Sequence, residues 1–212
     1  VSNTASVQGG GDPTCPTTSN CTVTHTSAVD APSLQLRKTD NGPWVVDQAN
    51  AQYTLMVSNT HVSVATVGAV TVRDSMPAGI IPTAGTYGNW VCTVSGQDVN
   101  CNSAVTIAGG GTDVIGLPVD VTAAAIGGGT SGHVTNHATV AGGGDPYNGG
   151  VAPLPGSSCL DTAHCTSKLT GVRTASAIGV ATPLSLVNGA ALPAVYQAHP
   201  GDTLTYTITV TN

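Results

Sequence analysis

The chain has 212 residues, of which 8% are charged and 3% aromatic; Phe is absent and all eleven acidic residues are Asp. Asp favours turns and caps, and 27 Gly with 13 Pro leave few helix formers, so a helical protein is excluded. A net charge of −6 with only five Lys and Arg argues against a nucleic-acid partner.

The density of Val, Ile and Thr separates this chain from disordered ones, which lack β-branched residues. Its surface polarity must come from Ser, Thr, Asn and Gly, which suits an exposed fibre or stalk. No apolar run reaches membrane-spanning length and no signal peptide is visible at Val1, so anchor and export signal are expected outside this segment.

In chain order, the first element is the strand-like VSNTASV from Val1, followed by GGGDP and the pair Cys15 and Cys21. Leu34-Gln35-Leu36 opens the next strand, which ends near Lys38. Tyr53, Leu55 and Val57 then alternate with polar residues, as a half-buried strand requires. Val70 and Val72 alternate before Asp74.

The segment from Trp90 to Cys101 reads as a hairpin. A two-residue loop at Gly96-Gln97 places Gly at the first central position, as a type II′ turn demands. Pairing outward sets Ser95 against Asp98, Val94 against Val99, Thr93 against Asn100 and Cys92 against Cys101. That last pair falls on a non-hydrogen-bonded site, where Cα atoms approach to about 4.5 Å, within disulfide reach.

Val119 and Val121 continue the pattern, and Val134, Asn136, Ala138 and Val140 share one face of a later strand. Cys159 and Cys165 follow. An Ala-, Ser- and Thr-rich stretch from Thr174 to Thr182 reads as a linker. Finally Leu204, Tyr206, Ile208 and Val210 alternate with Thr. Gly tracts at Gly9, Gly109, Gly127 and Gly142 mark loops or strand exits.

The chain repeats itself. VSNTASVQGGGDP from Val1 and VTNHATVAGGGDP from Val134 agree at nine of thirteen positions, and two more exchange Ser for Thr. Each copy is followed by two Cys with five residues between them, CPTTSNC and CLDTAHC. Leu34-Gln-Leu36 then matches Leu184-Ser-Leu186, and YTLMVSN ending at Asn59 matches YTITVTN ending at Asn212. The conserved order of four signals predicts tandem units.

Residues 1–30 are expected to close one repeat, 32–166 to form a complete sandwich with a disulfide-bearing loop, 167–182 to link, and 183–212 to open the next repeat. The expected fold is all-β: a disulfide-stabilised, immunoglobulin-like antiparallel β-sandwich in tandem repeats. Repetition and hairpin register favour local pairing of Cys15–Cys21, Cys92–Cys101 and Cys159–Cys165, which implies a compartment outside the cytosol. Tyr53 and Tyr206 are expected core anchors, with Trp44 and Trp90 as large packers.

LQLRKTDNG from Leu34, YTLMVSNT from Tyr53, VTVRDSMPAGI from Val70, WVCTVSGQDVNC from Trp90 and VTNHATVAGGGDP from Val134 together resemble the repeat domain of prokaryotic surface proteins known as domain of unknown function eleven. The resemblance implies an immunoglobulin-like module of a large exported protein at the cell surface, with a stalk, fibre or adhesin role and no enzymatic activity. Neighbouring copies of the same repeat are the implied partners.

Among candidate chemistries, the sharpest is an intramolecular isopeptide bond from Lys38 on the first strand to Asn136 on the last, assisted by Asp74. A desolvated lysine that loses its charge can attack an amide. The bland alternative is a solvated Lys38 and an Asn136 bonded to backbone at a strand end. In the third repeat Asn188 stands near the place of the matching lysine.

His133 and His137 would lie on one strand face about 13 Å apart, too far to share an ion, so solvated histidines are expected and no metal or cofactor is assigned. A loop carboxylate such as Asp12, Asp113 or Asp145 is where a structural calcium would sit, though no run of alternating Asp follows the GGGDP loops. The Asn20-Cys21-Thr22 sequon is read as part of a tight disulfide loop. No nucleophile–base motif is present, so the chain is read as non-catalytic. The leading function is a structural stalk or fibre; the alternatives are an adhesin that binds glycan or protein through its loops, and a filament subunit that exchanges strands between chains.

Overall fold

A computed structural model describes residues 1–11, 13–14, 21–156, 159–175, 179–181, 184–187, 189–191 and 201–211. Among the described residues strands are the main regular structure, joined by loops and by two short 3-10 turns at Ala123–Ile126 and Tyr147–Gly150. The elements are β1 (Ser2–Ser6), β2 (Thr22–Thr26), β3 (Leu34–Asp40), β4 (Trp44–Val45), β5 (Ala51–Asn59), β6 (Val70–Ser75), β7 (Ile80–Pro82), β8 (Gly85–Tyr87) and β9 (Trp90–Ser95). They continue with β10 (Asp98–Ser103), β11 (Thr112–Val121), β12 (Ser131–Gly142), β13 (Cys165–Arg173), β14 (Gly179–Ala181), β15 (Leu184–Val187), β16 (Ala190–Ala191), β17 (Leu204–Tyr206) and β18 (Thr209–Thr211).

Two sheets form the sandwich: a seven-stranded one in the order β4-β13-β12-β6-β10-β9-β8, and a four-stranded one in the order β3-β5-β11-β7. All pairings within them are antiparallel except β13 with β4, which is parallel. Period-two alternation decides which side chains point inward. In β5 the alternate residues Ala51, Tyr53, Leu55, Val57 and Asn59 are all buried.

They meet Leu34 and Leu36 of β3 and Ile115, Leu117, Val119 and Val121 of β11 on one side of the core, with Val70, Val72, Trp90, Val99, Val134, Ala138 and Val140 from the facing sheet. Trp44 packs edge-on against Tyr53 with ring centroids 4.8 Å apart, and its indole N–H donates to Asn41 Oδ1 at 2.8 Å. Both tryptophans are fully buried.

The hairpin has the register the turn dictates: Ser95 opposes Asp98 and Cys92 opposes Cys101. Gly96 adopts φ 63°, and Cys92 and Cys101 are bonded with Cα atoms 4.0 Å apart. Cys159 and Cys165 are also bonded, at a Cα separation of 5.3 Å. Cys21 is likewise oxidised, while Cys15 and Asn20 lie outside the described residues.

Two expectations are corrected. Tyr206, expected as a core anchor, is 56% exposed and is not buried by the described residues. Its strand β17 pairs with β15 in a three-stranded sheet, and among the described residues no second sheet covers it. The expected linker also starts later than 167. β13 runs through Arg173 and pairs with β12 from Thr139↔Cys165 to Ser131↔Arg173, so the sandwich gains a strand beyond its last cysteine. Val172 on that strand is buried in the core. Its alternation was concealed by a Ser-, Lys- and Gly-containing sequence that resembles a connector. Gly179–Ala181, also within the expected linker, pairs with β18.

Candidate functional site

The feature that departs most from an ordinary sandwich core is a polar cluster between the sheets. Lys38 occupies the third inward position of β3, after Leu34 and Leu36. Asp74 takes the third inward position of β6, after Val70 and Val72. Asn136 lies between the inward Val134 and Ala138 of β12. The three side chains come from three strands, Lys38 on the four-stranded sheet and the other two on the seven-stranded one.

Register explains the convergence. Ala138 is directly opposite Asp74 and His137 opposite Ser75, so Asn136 lies one diagonal step from Asp74 and level with Met76. Lys38 reaches across from the other layer, where its ammonium nitrogen donates to Asp74 Oδ2. Its Nζ also sits over the Tyr53 ring, 4.3 Å from the centroid.

All three groups are nearly inaccessible: Lys38 is 6% exposed, Asp74 1% and Asn136 0%. The bland reading of a solvated lysine and a backbone-bonded asparagine therefore fails, because the inward pattern of β3 leaves the Lys38 side chain no route to water. Asn136 donates its Nδ2–H to Met76 Sδ at 3.2 Å, a weak acceptor.

Charge is disfavoured here. Burial pulls Lys38 below the ordinary lysine value, against the opposing attraction of Asp74. Burial also lifts Asp74 above the ordinary aspartate value, against the pull of Lys38 and of the Asn136 amide. Both directions have the same cause, the large desolvation penalty of placing charge in an apolar core. Tyr53 is raised as well, chiefly by burial, and stays protonated.

Asp74 Oδ1 and Asn136 Oδ1 are both buried without a hydrogen-bond partner among the described residues. Two acceptors cannot satisfy each other, but a proton on Asp74 turns one of them into a donor. The cluster thus holds a carboxyl group, an amide and an amine together in a buried, apolar setting. Chemically, the amine can add to Asn136 Cγ, the acid can protonate Oδ1 as it gains charge, and ammonia can leave from Nδ2.

Sequence reasoning named these three residues but missed Met76 and Tyr53 as their surroundings. Met76 follows the β6 alternation by two residues, which was the available signal. The other candidates do not converge. His133 is exposed; His137 is half-buried with its Nδ1 3.9 Å from Cys159 Sγ.

Asp145 accepts from the Leu34 and Tyr147 amides and contacts His164 Nε2 at 3.1 Å. Asp113 contacts Asn89 Nδ2 and its neighbouring Val114 amide. Among the described residues no three His, Cys, Asp or Glu side chains gather as a metal site, and Asp12 and Asn188 lie outside them. No helix is long and apolar enough to cross a membrane among the described residues.

No family model matches the chain, and no curated protein matches it. Solved structures do. The major pilin subunit BcpA of Bacillus cereus, as its D312A variant, matches with a TM-score of 0.44 at 9% identity, over 92% of this chain and 61% of the pilin. The collagen-binding subdomain of the Enterococcus faecalis surface protein ACE and the collagen-binding domain of a Staphylococcus aureus adhesin each match with a TM-score of 0.31 at 12% identity, over 70% of this chain and all of theirs. AvmM, which catalyses macrocyclization in alchivemycin A biosynthesis, matches with a TM-score of 0.36 at 9% identity, over 68% of this chain and 90% of that protein.

Proposed function

We propose that this chain is a load-bearing module of an extracellular stalk or fibre, whose complete sandwich cross-links itself through an amide bond between Lys38 and Asn136. The observation that carries this reading is the burial of Lys38, Asp74 and Asn136 together in an apolar core. Neutral Lys38 attacks Asn136 Cγ, Asp74 shuttles the proton, the C–Nδ2 bond breaks and ammonia departs. No cofactor enters the balance. A covalent tie from the first strand to a late one holds the two sheets together regardless of solvent or tension, which is what a stalk requires and a soluble enzyme does not.

Intact mass spectrometry of the reduced chain tests this. The expected result is a mass about 17 Da below that of the sequence, with the deficit abolished in Asp74→Ala. A full-length chain at its unmodified mass would refute it. The adhesin alternative is separated by binding. A spacer gives no saturable isotherm with glycans or matrix proteins, whereas an adhesin does.

A further inference from the structure

Resting on that Lys38–Asn136 bond, the strand order has a mechanical consequence. The two tied residues are not at the two ends of the folded unit. Lys38 is near the end of β3, the first strand of the sandwich, but the chain continues past Asn136 through the rest of β12, an excursion, and β13 as far as Arg173.

β3 and β13 run in the same direction: Leu36 N–H bonds Ala163 O at one end, Asp40 accepts from Thr170 midway, and Val172 pairs with Trp44 beyond. The chain therefore enters the sandwich at one end and leaves at the other, so tension between the flanking segments lies along the strands.

We infer that this sandwich is a load-limited extensible element: under tension the cross-link locks residues 39–135, while the chain beyond Asn136, which comprises the rest of β12, the excursion 143–164 and β13, slides out as a reserve of fixed length. Force passes from β3 through the Lys38 side chain into Asn136 and then along the main chain to Arg173. Nothing covalent bypasses that last stretch except Cys159–Cys165, which shortcuts part of it. The restraint is instead the β12–β13 register, nine residue pairs loaded in shear, together with the pairing of His137–Gly142 to β6. It is reinforced by Asp40, which accepts from the Thr170 hydroxyl and lies 3.7 Å from Lys168 Nζ. Asp40 stands on the locked side of the bond, so it acts as the latch.

The reserve can be sized. From Asn136 to Arg173 the extended chain spans about 130 Å, at roughly 3.5 Å per residue. The disulfide removes about 16 Å of this, six residue steps being replaced by a Cα separation of 5.3 Å. The two ends already start about 17 Å apart, since Arg173 is opposite Ser131. The expected gain is about 95 Å, or about 110 Å with the disulfide reduced. Without the cross-link the whole sandwich would unravel by about 400 Å.

The test is single-molecule pulling of the full chain by its two ends, on material whose intact mass has first been measured. For chains lacking about 17 Da, the expected rupture adds about 95 Å. Removing Cys159–Cys165 lengthens that step by about 16 Å, and removing Cys92–Cys101 leaves it unchanged. Asp40→Ala is expected to lower the rupture force without altering the step, because forced unfolding follows the unfolding barrier rather than the final length.

Cross-linked chains that show no such step, or whose step responds to Cys92–Cys101, would overturn the inference while leaving the bond intact. Chains of unmodified mass that unravel by about 400 Å would overturn the bond and the reserve together.

Discussion

Replacing Lys38 with Met keeps a long, flexible side chain in the slot of β3 and removes the nucleophile. If the amide bond forms in the native chain, Lys38→Met converts a cross-linked fold into an open one. The cross-link closes a loop from residue 38 to residue 136. Chain-entropy theory assigns about 4.7 kcal/mol to a covalent closure near 100 residues.

At a pH below the ordinary aspartate value Asp74 keeps its proton and adds no buried charge, and Met fills most of the space, so loop entropy dominates the difference. For a domain of this size each kcal/mol moves the midpoint by about 2–4 °C, which gives a fall of roughly 10–20 °C. The assay is a calorimetric melt of native and variant chains in parallel with intact mass, all disulfides closed. Equal midpoints, with the native chain already about 17 Da light, would refute the loop-entropy reasoning. Equal midpoints with equal mass deficits of zero would refute the bond itself.

The same variant has a distinctive pH dependence. Burial raises Asp74 in the folded state, so the folded chain holds that proton more tightly than the unfolded chain. The stabilisation is fully present below the ordinary aspartate value and is lost as pH rises through the raised one; urea midpoints of Lys38→Met should fall with pH relative to Lys38→Met/Asp74→Asn. Met76→Leu removes the acceptor that holds the Asn136 Nδ2–H, and it should slow the appearance of the mass deficit after refolding several-fold without preventing folding. Removing Cys92–Cys101 should cost about 2–3 kcal/mol by chemical denaturation, because the bond closes only a short hairpin. Gly79→Ala should abolish expression of folded protein: at φ 84° an added Cβ would lie 2.0 Å from the Ala125 amide nitrogen, and backbone cannot yield there as a side chain would.

Local chemistry determined much of this protein in advance. Alternating Val, Leu and Tyr dictate which faces turn inward, since a strand has period two, and they do so in β5, β6 and β12 alike. A Gly at the first central turn position sets the β9–β10 register, and that register alone brings Cys92 opposite Cys101. Lys38, Asp74 and Asn136 were each legible as inward positions of their strands. Their meeting was not, because residues 36 and 62 positions apart in sequence become neighbours only when two sheets pack and a diagonal register aligns.

Tyr206 shares the pattern of Tyr53, yet among the described residues it is exposed where Tyr53 is buried. Alternation specifies a face, but only an opposing sheet buries it. The strand Cys165–Arg173 escaped a reading by pattern for the same reason. Its polar sequence is held by backbone pairing to β12 and by Asp40, contacts that exist only once the rest of the sandwich is in place.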